Sequence, residues 1–135
     1  MNDAIQKTGM AYKVKAMRVN NPPPLWIRDM SSAKGGPTPG HKSHQTGIDI
    51  DMRLPLLPPK TAQWDKLAGH NYTKLFHFDA AVAQLEAIKL MMNAQYVFFN
   101  DPRLIKKNLC TRQKNHGNHY HIRIKPPMRL EGHYL

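Results

Sequence analysis

The chain has 135 residues, 41% of them apolar, and a formal charge of +11 at neutral pH. That length supports one modest hydrophobic core, and the lack of any run of about 18 apolar residues excludes a helical membrane span. The single cysteine, Cys110, excludes an internal disulfide, and so basic a balance favours polyanionic partners: nucleic acid, anionic lipid or the anionic polymers of a bacterial envelope.

Residues 1–24 show little periodicity and end in Asn20-Asn21-Pro22-Pro23-Pro24, which predicts an extended N-terminal arm or a loosely packed leader. They lack the charged start and apolar stretch of a secretory signal peptide. Residues 25–30 (LWIRDM) read as a short strand, and residues 31–40 (SSAKGGPTPG) as a loop suited to the rim of a substrate site. Residues 47–54 alternate Ile48, Ile50 and Met52 with Asp49, Asp51 and Arg53, so the apolar set faces a core and the aspartates share the other face. Prolines at 55, 58 and 59 stop that strand.

Residues 79–95 form the clearest helix, with Asp79 as N-cap, Val82, Leu85, Ile88 and Met92 recurring at helical spacing, and Met91 and Met92 as core filler. Residues 96–99 (YVFF) suit a buried strand. Asp101 as cap and Pro102 at the first position begin a short helix to about residue 109. Residues 111–117 are polar loop. Residues 118–125 alternate again, with His119, His121 and Arg123 on one face and Tyr120, Ile122 and Ile124 on the other. The expected fold is α+β: a small antiparallel sheet of two or three strands, covered by one long and one short helix.

Of eight histidines, five (His41, His44, His116, His119 and His121) fall within the segments 40–51 (GHKSHQTGIDID) and 115–124 (NHGNHYHIRI). Histidines clustered with carboxylates at fixed spacing suit a transition metal. Asp51 and His121 can face each other across neighbouring strands, and His44 enters from the turn before the first. Three such ligands leave a zinc ion one position for water, the arrangement of a catalytic site. His119, two residues before His121 on the same face, stands where a general base or hydrogen-bond donor would act. Neither Cys110 nor any serine lies in a nucleophile motif, and no HExxH stretch supplies a helix-borne base. Basic residues are scattered without interleaved aromatics, which argues against a specific nucleic-acid site. His77 and His133 read as surface residues, and Arg123 as a packing or pairing residue.

The pattern H-x-x-H-Q-T-G-x-D-x-D followed by H-x-x-H-x-H resembles the penicillin-insensitive murein endopeptidases, relatives of lysostaphin, the D-Ala-D-Ala peptidases and the Hedgehog fold. The resemblance runs from about residue 25 to residue 125. It implies a zinc metallopeptidase domain over residues 25–135, with zinc on His44, Asp51 and His121. It also implies catalytic roles for His119 and His116, and a further metal position at His41 with His70. The family's aspartate of that second position aligns with Leu67, with Asp65 nearby. The implied activity is hydrolysis of D-alanyl–meso-diaminopimelyl cross-links in peptidoglycan, acting in the periplasm or cell wall. The anionic envelope polymers are then natural partners for the basic surface. A metal-stabilised module that binds cell wall or another polyanion without cleaving it is the alternative on the same fold.

Overall fold

The computed structural model describes residues 2–32, 48–57 and 75–125. In chain order these form helix α1 (Asn2–Lys15), a 3-10 turn (Ala16–Arg18), strands β1 (Ile27–Ser32) and β2 (Ile48–Arg53), helix α2 (Phe78–Met91), strand β3 (Ala94–Phe98), helix α3 (Pro102–Lys106) and strand β4 (His119–Ile124). The sheet order is β1-β2-β4-β3, with every neighbouring pair antiparallel. The fold is therefore α+β, with four strands and a further helix where two or three strands and two helices were expected. No helix among the described residues is long and apolar enough to cross a membrane.

Alternation explains the layering. Ile50 and Met52 of β2, Val97 of β3 and Tyr120, Ile122 and Ile124 of β4 point to one side of the sheet. There they pack with Ala81, Leu85 and Ile88 of α2 and with Met92, Phe99 and Leu104. Removing a side chain the size of Ile50, Leu85 or Ile88 from water stabilises the fold by about 1.5–3 kcal/mol each. The opposite face of α2 carries Ala83 and Ala87, small enough for Tyr12 of α1 and Ala16 of the 3-10 turn to close on them. The result is three layers, α1 on α2 on the sheet, with the sheet's far face left for polar residues.

Helix α1 corrects the expectation of an extended arm. Its apolar residues lie on both sides, Tyr12 inward but Met10 and Val14 exposed, so no single stripe marks it as amphipathic. The helix exists because its inward face docks on α2. Asn20 and Pro23 then return the chain: the Tyr12 hydroxyl donates to the Pro23 carbonyl, and Asn21 takes a positive φ of 51°.

The ends of α2 are also revised. The N-cap is His77, not Asp79: His77 Nδ1 accepts from the Ala80 N–H at 3.3 Å. His77 Nε2 lies 2.6 Å from the Asn20 carbonyl. A carbonyl only accepts, so Nε2 carries the proton and Nδ1 is free to cap. His77 is thus buried, at 6% exposure, rather than a surface residue. The helix stops at Met91 instead of near residue 95, because Asn93 turns the chain with φ of 48°. Met92 is core, as expected, whereas Met91 is partly exposed.

Helix α3 begins as its sequence predicts. Asp101 Oδ1 accepts from the Arg103 N–H at 2.8 Å, and Pro102 occupies the first turn. It is shorter than expected, ending at Lys106 before Asn108 with φ of 62°.

Candidate metal centre

The site grows from the register of β2 against β4. Asp51 stands opposite His121, Asp49 opposite Arg123, and Arg53 opposite His119. With the two-residue period of a strand, these six side chains share the polar face. Asp51 Oδ1 lies 3.0 Å from His121 Nδ1 and 3.8 Å from His119 Nε2. That oxygen is buried and, among the described residues, accepts no hydrogen bond of good geometry. A carboxylate oxygen left so, between two imidazoles, is costly unless a cation joins it.

Two imidazoles are held in one orientation. His119 Nδ1 donates to Asn118 Oδ1 at 2.8 Å, and His116 Nδ1 donates to the Lys114 carbonyl at 2.7 Å. In each ring the proton therefore sits on Nδ1, and the lone pair of Nε2 is left for the site. Anchoring one ring nitrogen to a carbonyl to present the other is how metal-binding and proton-transferring histidines are commonly oriented. The rings lie close together: centroids are 5.0 Å apart for His116–His119, 5.3 Å for His116–His121 and 6.5 Å for His119–His121.

Burial holds the His119 imidazole below its ordinary pKa; the Asp51 carboxylate opposes this, while His116, His121 and Arg28 reinforce it. His119 is neutral at neutral pH as a result. Asp49 is the opposite case. Burial alone would raise its carboxyl, but the Arg123 hydrogen bonds and charge, with His121, outweigh burial and hold it below the usual carboxylate value. Arg123 makes a two-point pair with it, Nε to Oδ1 at 2.8 Å and Nη2 to Oδ2 at 3.0 Å, so Arg123 pairs as expected. Asp49 Oδ1 also lies 3.5 Å from His121 Nε2, so His121 is flanked by a carboxylate at each ring nitrogen.

The residues present fit a metal ion. One ligand atom from each of His116, His119 and His121 lies within 4.8 Å of the others, so these three could hold one. Ligand atoms about 2.0–2.1 Å from a tetrahedral zinc are spaced about 3.3 Å apart. The 3.0 Å between Asp51 and His121 is already near that spacing, and the imidazole trio lies within 4.8 Å. His44, His41 and His70, with Asp65 and Leu67, lie outside the described residues.

One wall of the site was missed. Residues 96–99 read as a buried strand, yet only Val97 and Phe99 are buried. Tyr96 and Phe98 face the polar side, because β3 pairs Tyr96 with Arg123 and Phe98 with His121. Their rings stack at 4.1 Å, and Phe98 lies 5.4 Å from the His116 ring. The alternation within YVFF was the available signal. Cys110 is buried and its thiol pushed up to about 11, mainly by burial and then by Asp101, so it is no nucleophile.

Searches of curated proteins and of solved structures return no significant match. A family profile described as penicillin-insensitive murein endopeptidase does match, over residues 6–134, and so reaches beyond the motif-bearing stretch on both sides. A match over nearly the whole chain, enclosing both histidine segments, shows that the chain belongs to the penicillin-insensitive murein endopeptidase family.

Proposed function

We propose that this chain is a zinc-dependent endopeptidase that hydrolyses the D-alanyl–meso-diaminopimelyl cross-links of peptidoglycan. The observation that carries it is the pairing of Asp51 with His121 at 3.0 Å, the carboxylate oxygen buried and without a hydrogen-bond donor among the described residues. In this reading His44, Asp51 and His121 hold the zinc, and His41 with His70 forms a second metal position. Bound there, zinc would acidify a water molecule and polarise the scissile carbonyl. The unit that does this spans residues 25–135, and residues 1–24 buttress it through α1.

The chain's own residues supply proton handling and orientation. His119 is neutral and its Nδ1 proton is committed to Asn118, so Nε2 can take a proton from the attacking water and return it to the leaving amine. His116 presents Nε2 beside it and can donate to the developing oxyanion once protonated. The Tyr96–Phe98 stack forms an apolar wall against which a stem peptide can lie. The +11 charge draws the protein to the anionic envelope in which its substrate lies.

The closeness of His116, His119 and His121 favours one other reading. If all three hold the ion, none of the imidazoles that the described residues bring together remains for proton transfer, and the chain is a metal-stabilised wall-binding module.

Zinc-loaded protein incubated with muropeptide dimers should release monomers, and a chelator should stop it; intact dimers would sink the enzyme reading. Replacing His121 by Ala should lose zinc, while His119→Ala should keep zinc and lose cleavage. Equal zinc loss from His116→Ala, His119→Ala and His121→Ala would favour the wall-binding module.

A further inference from the structure

Asn100 lies just past the end of β3, outside the ring of metal-ligating side chains, yet it makes more bonds to the His116 loop than its position suggests. Its side-chain amide pairs with the backbone of Gln113 at both ends. Nδ2 donates to the Gln113 carbonyl at 2.7 Å, and Oδ1 accepts from the Gln113 N–H at 2.8 Å. Its own backbone N–H donates to the His116 carbonyl at 3.0 Å. The Gln113 carbonyl also accepts from the His116 N–H at 3.2 Å. Both backbone groups of His116 are thus tied to Asn100, one directly and one through Gln113.

The rest of the loop is fixed consistently with this. Phe99 N–H donates to the Thr111 carbonyl at 3.1 Å, and Thr111 N–H to the Val97 carbonyl at 2.8 Å, which lays the start of the loop along β3. Asn115 turns with φ of 65°, which lets the Lys114 carbonyl reach back to His116 Nδ1. Three constraints therefore meet on His116: its N–H, its C=O and its ring. Asn100 supplies or supports the first two.

We infer that Asn100 is a positioning residue for His116, holding its backbone so that the imidazole stands over His119 and His121. A side-chain amide suits the place because it alone offers a donor and an acceptor at the spacing of a peptide group; Asp or Leu supplies at most one of them. The Asn100–Gln113 bonds are solvent-exposed, so their loss costs the fold little while freeing the loop. The inference rests on the reading that His116 acts in the site.

The test is a double-mutant cycle with muropeptide dimers on the zinc-loaded full chain, using Asn100→Ala, Asn100→Asp, His116→Ala and the combinations. A positioning role predicts that Asn100→Ala lowers kcat by about 10- to 100-fold, the scale of a catalytic group misplaced by about an ångström, with KM nearly unchanged. In the His116→Ala background the same change should cost less than twofold. Asn100→Asp keeps the shape and the acceptor but sets a carboxylate oxygen against the Gln113 carbonyl, so it should lose as much as Ala. An equal loss with and without His116, or full activity in Asn100→Asp, would overturn the inference.

A second readout does not need turnover. Amide exchange at Gln113 should quicken at least tenfold in Asn100→Ala, and the His116 ring resonances should shift while those of His77 stay in place. Unchanged Gln113 protection would overturn the inference even if activity fell. A wild-type protein that leaves dimers uncut would defeat the endopeptidase reading alone, because exchange and ring signals still decide the role of Asn100.

Discussion

Asp49 offers the sharpest test of how His121 is used. Its Oδ1 is 3.5 Å from His121 Nε2, while His121 Nδ1 faces Asp51 at 3.0 Å. If Nδ1 serves the metal, Nε2 carries the proton and Asp49 is the carboxylate that orients the ring and strengthens it as a ligand. Asp49→Asn keeps the shape, removes the charge and leaves Arg123 without its carboxylate partner. Loss of such a supporting partner typically weakens metal affinity by about 10- to 100-fold, or about 1.4–2.7 kcal/mol. Arg123→Met should cost less than tenfold, because Asp49 keeps its charge and loses only its two-point anchor. Competition against a chromophoric chelator at fixed pH and salt measures both. Zinc affinity within twofold of wild type in Asp49→Asn, while His121→Ala abolishes binding, would refute this and place the metal on the other ring nitrogen.

Tyr120→Phe removes a hydroxyl that donates to Gln84 Oε1 at 3.0 Å, and both side chains are fully buried. It should lower stability by about 1–3 kcal/mol in urea titrations without a change in slope. Asp101→Ala removes the cap of α3 and the Arg103 pair, and should cost about 1 kcal/mol in the same assay. Asp49, whose folded pKa is held below its ordinary value, contributes stability that is present above the unfolded carboxylate pKa and is lost as pH falls through the folded one. In metal-free protein, Asp49→Asn should therefore flatten the acid limb of stability below about pH 4, with little change in its slope near neutrality.

The strands that carry chemistry were legible because period-two alternation fixes both the face and the residue type. Asp49 and Asp51 against Ile48 and Ile50, and His119 and His121 against Tyr120 and Ile122, could be sorted without coordinates. The cap of α3 was legible too, since Asp-Pro is a local signal. What escaped depends on tertiary partners. Helix α1 has no single apolar stripe and is held by the alanine face of α2, which appears only once both helices are placed. His77 caps α2 because Asn20, far away in sequence, fixes its tautomer. Tyr96 and Phe98 read as core because aromatic residues usually are, and their pairing with Arg123 and His121 is a matter of register.

Core and site are linked through one side chain. Tyr120 lies between His119 and His121 in β4 and is fully buried on the opposite face, against the Phe99 ring at 5.3 Å and bonded to Gln84 of α2. Because neighbouring residues on a strand point to opposite faces, fixing the rotation of Tyr120 fixes the directions in which both imidazoles leave the sheet. Gln84 in turn sits on the helix that α1 covers. The layers behind the sheet thus do more than bury apolar surface: they set the twist and register of the strand that carries two of the imidazoles. Asn100 and Asn118 set the remaining freedom of His116 and His119. Side chains fixed from behind in this way leave the sheet in set directions, which is what a site whose geometry must be held to a fraction of an ångström requires.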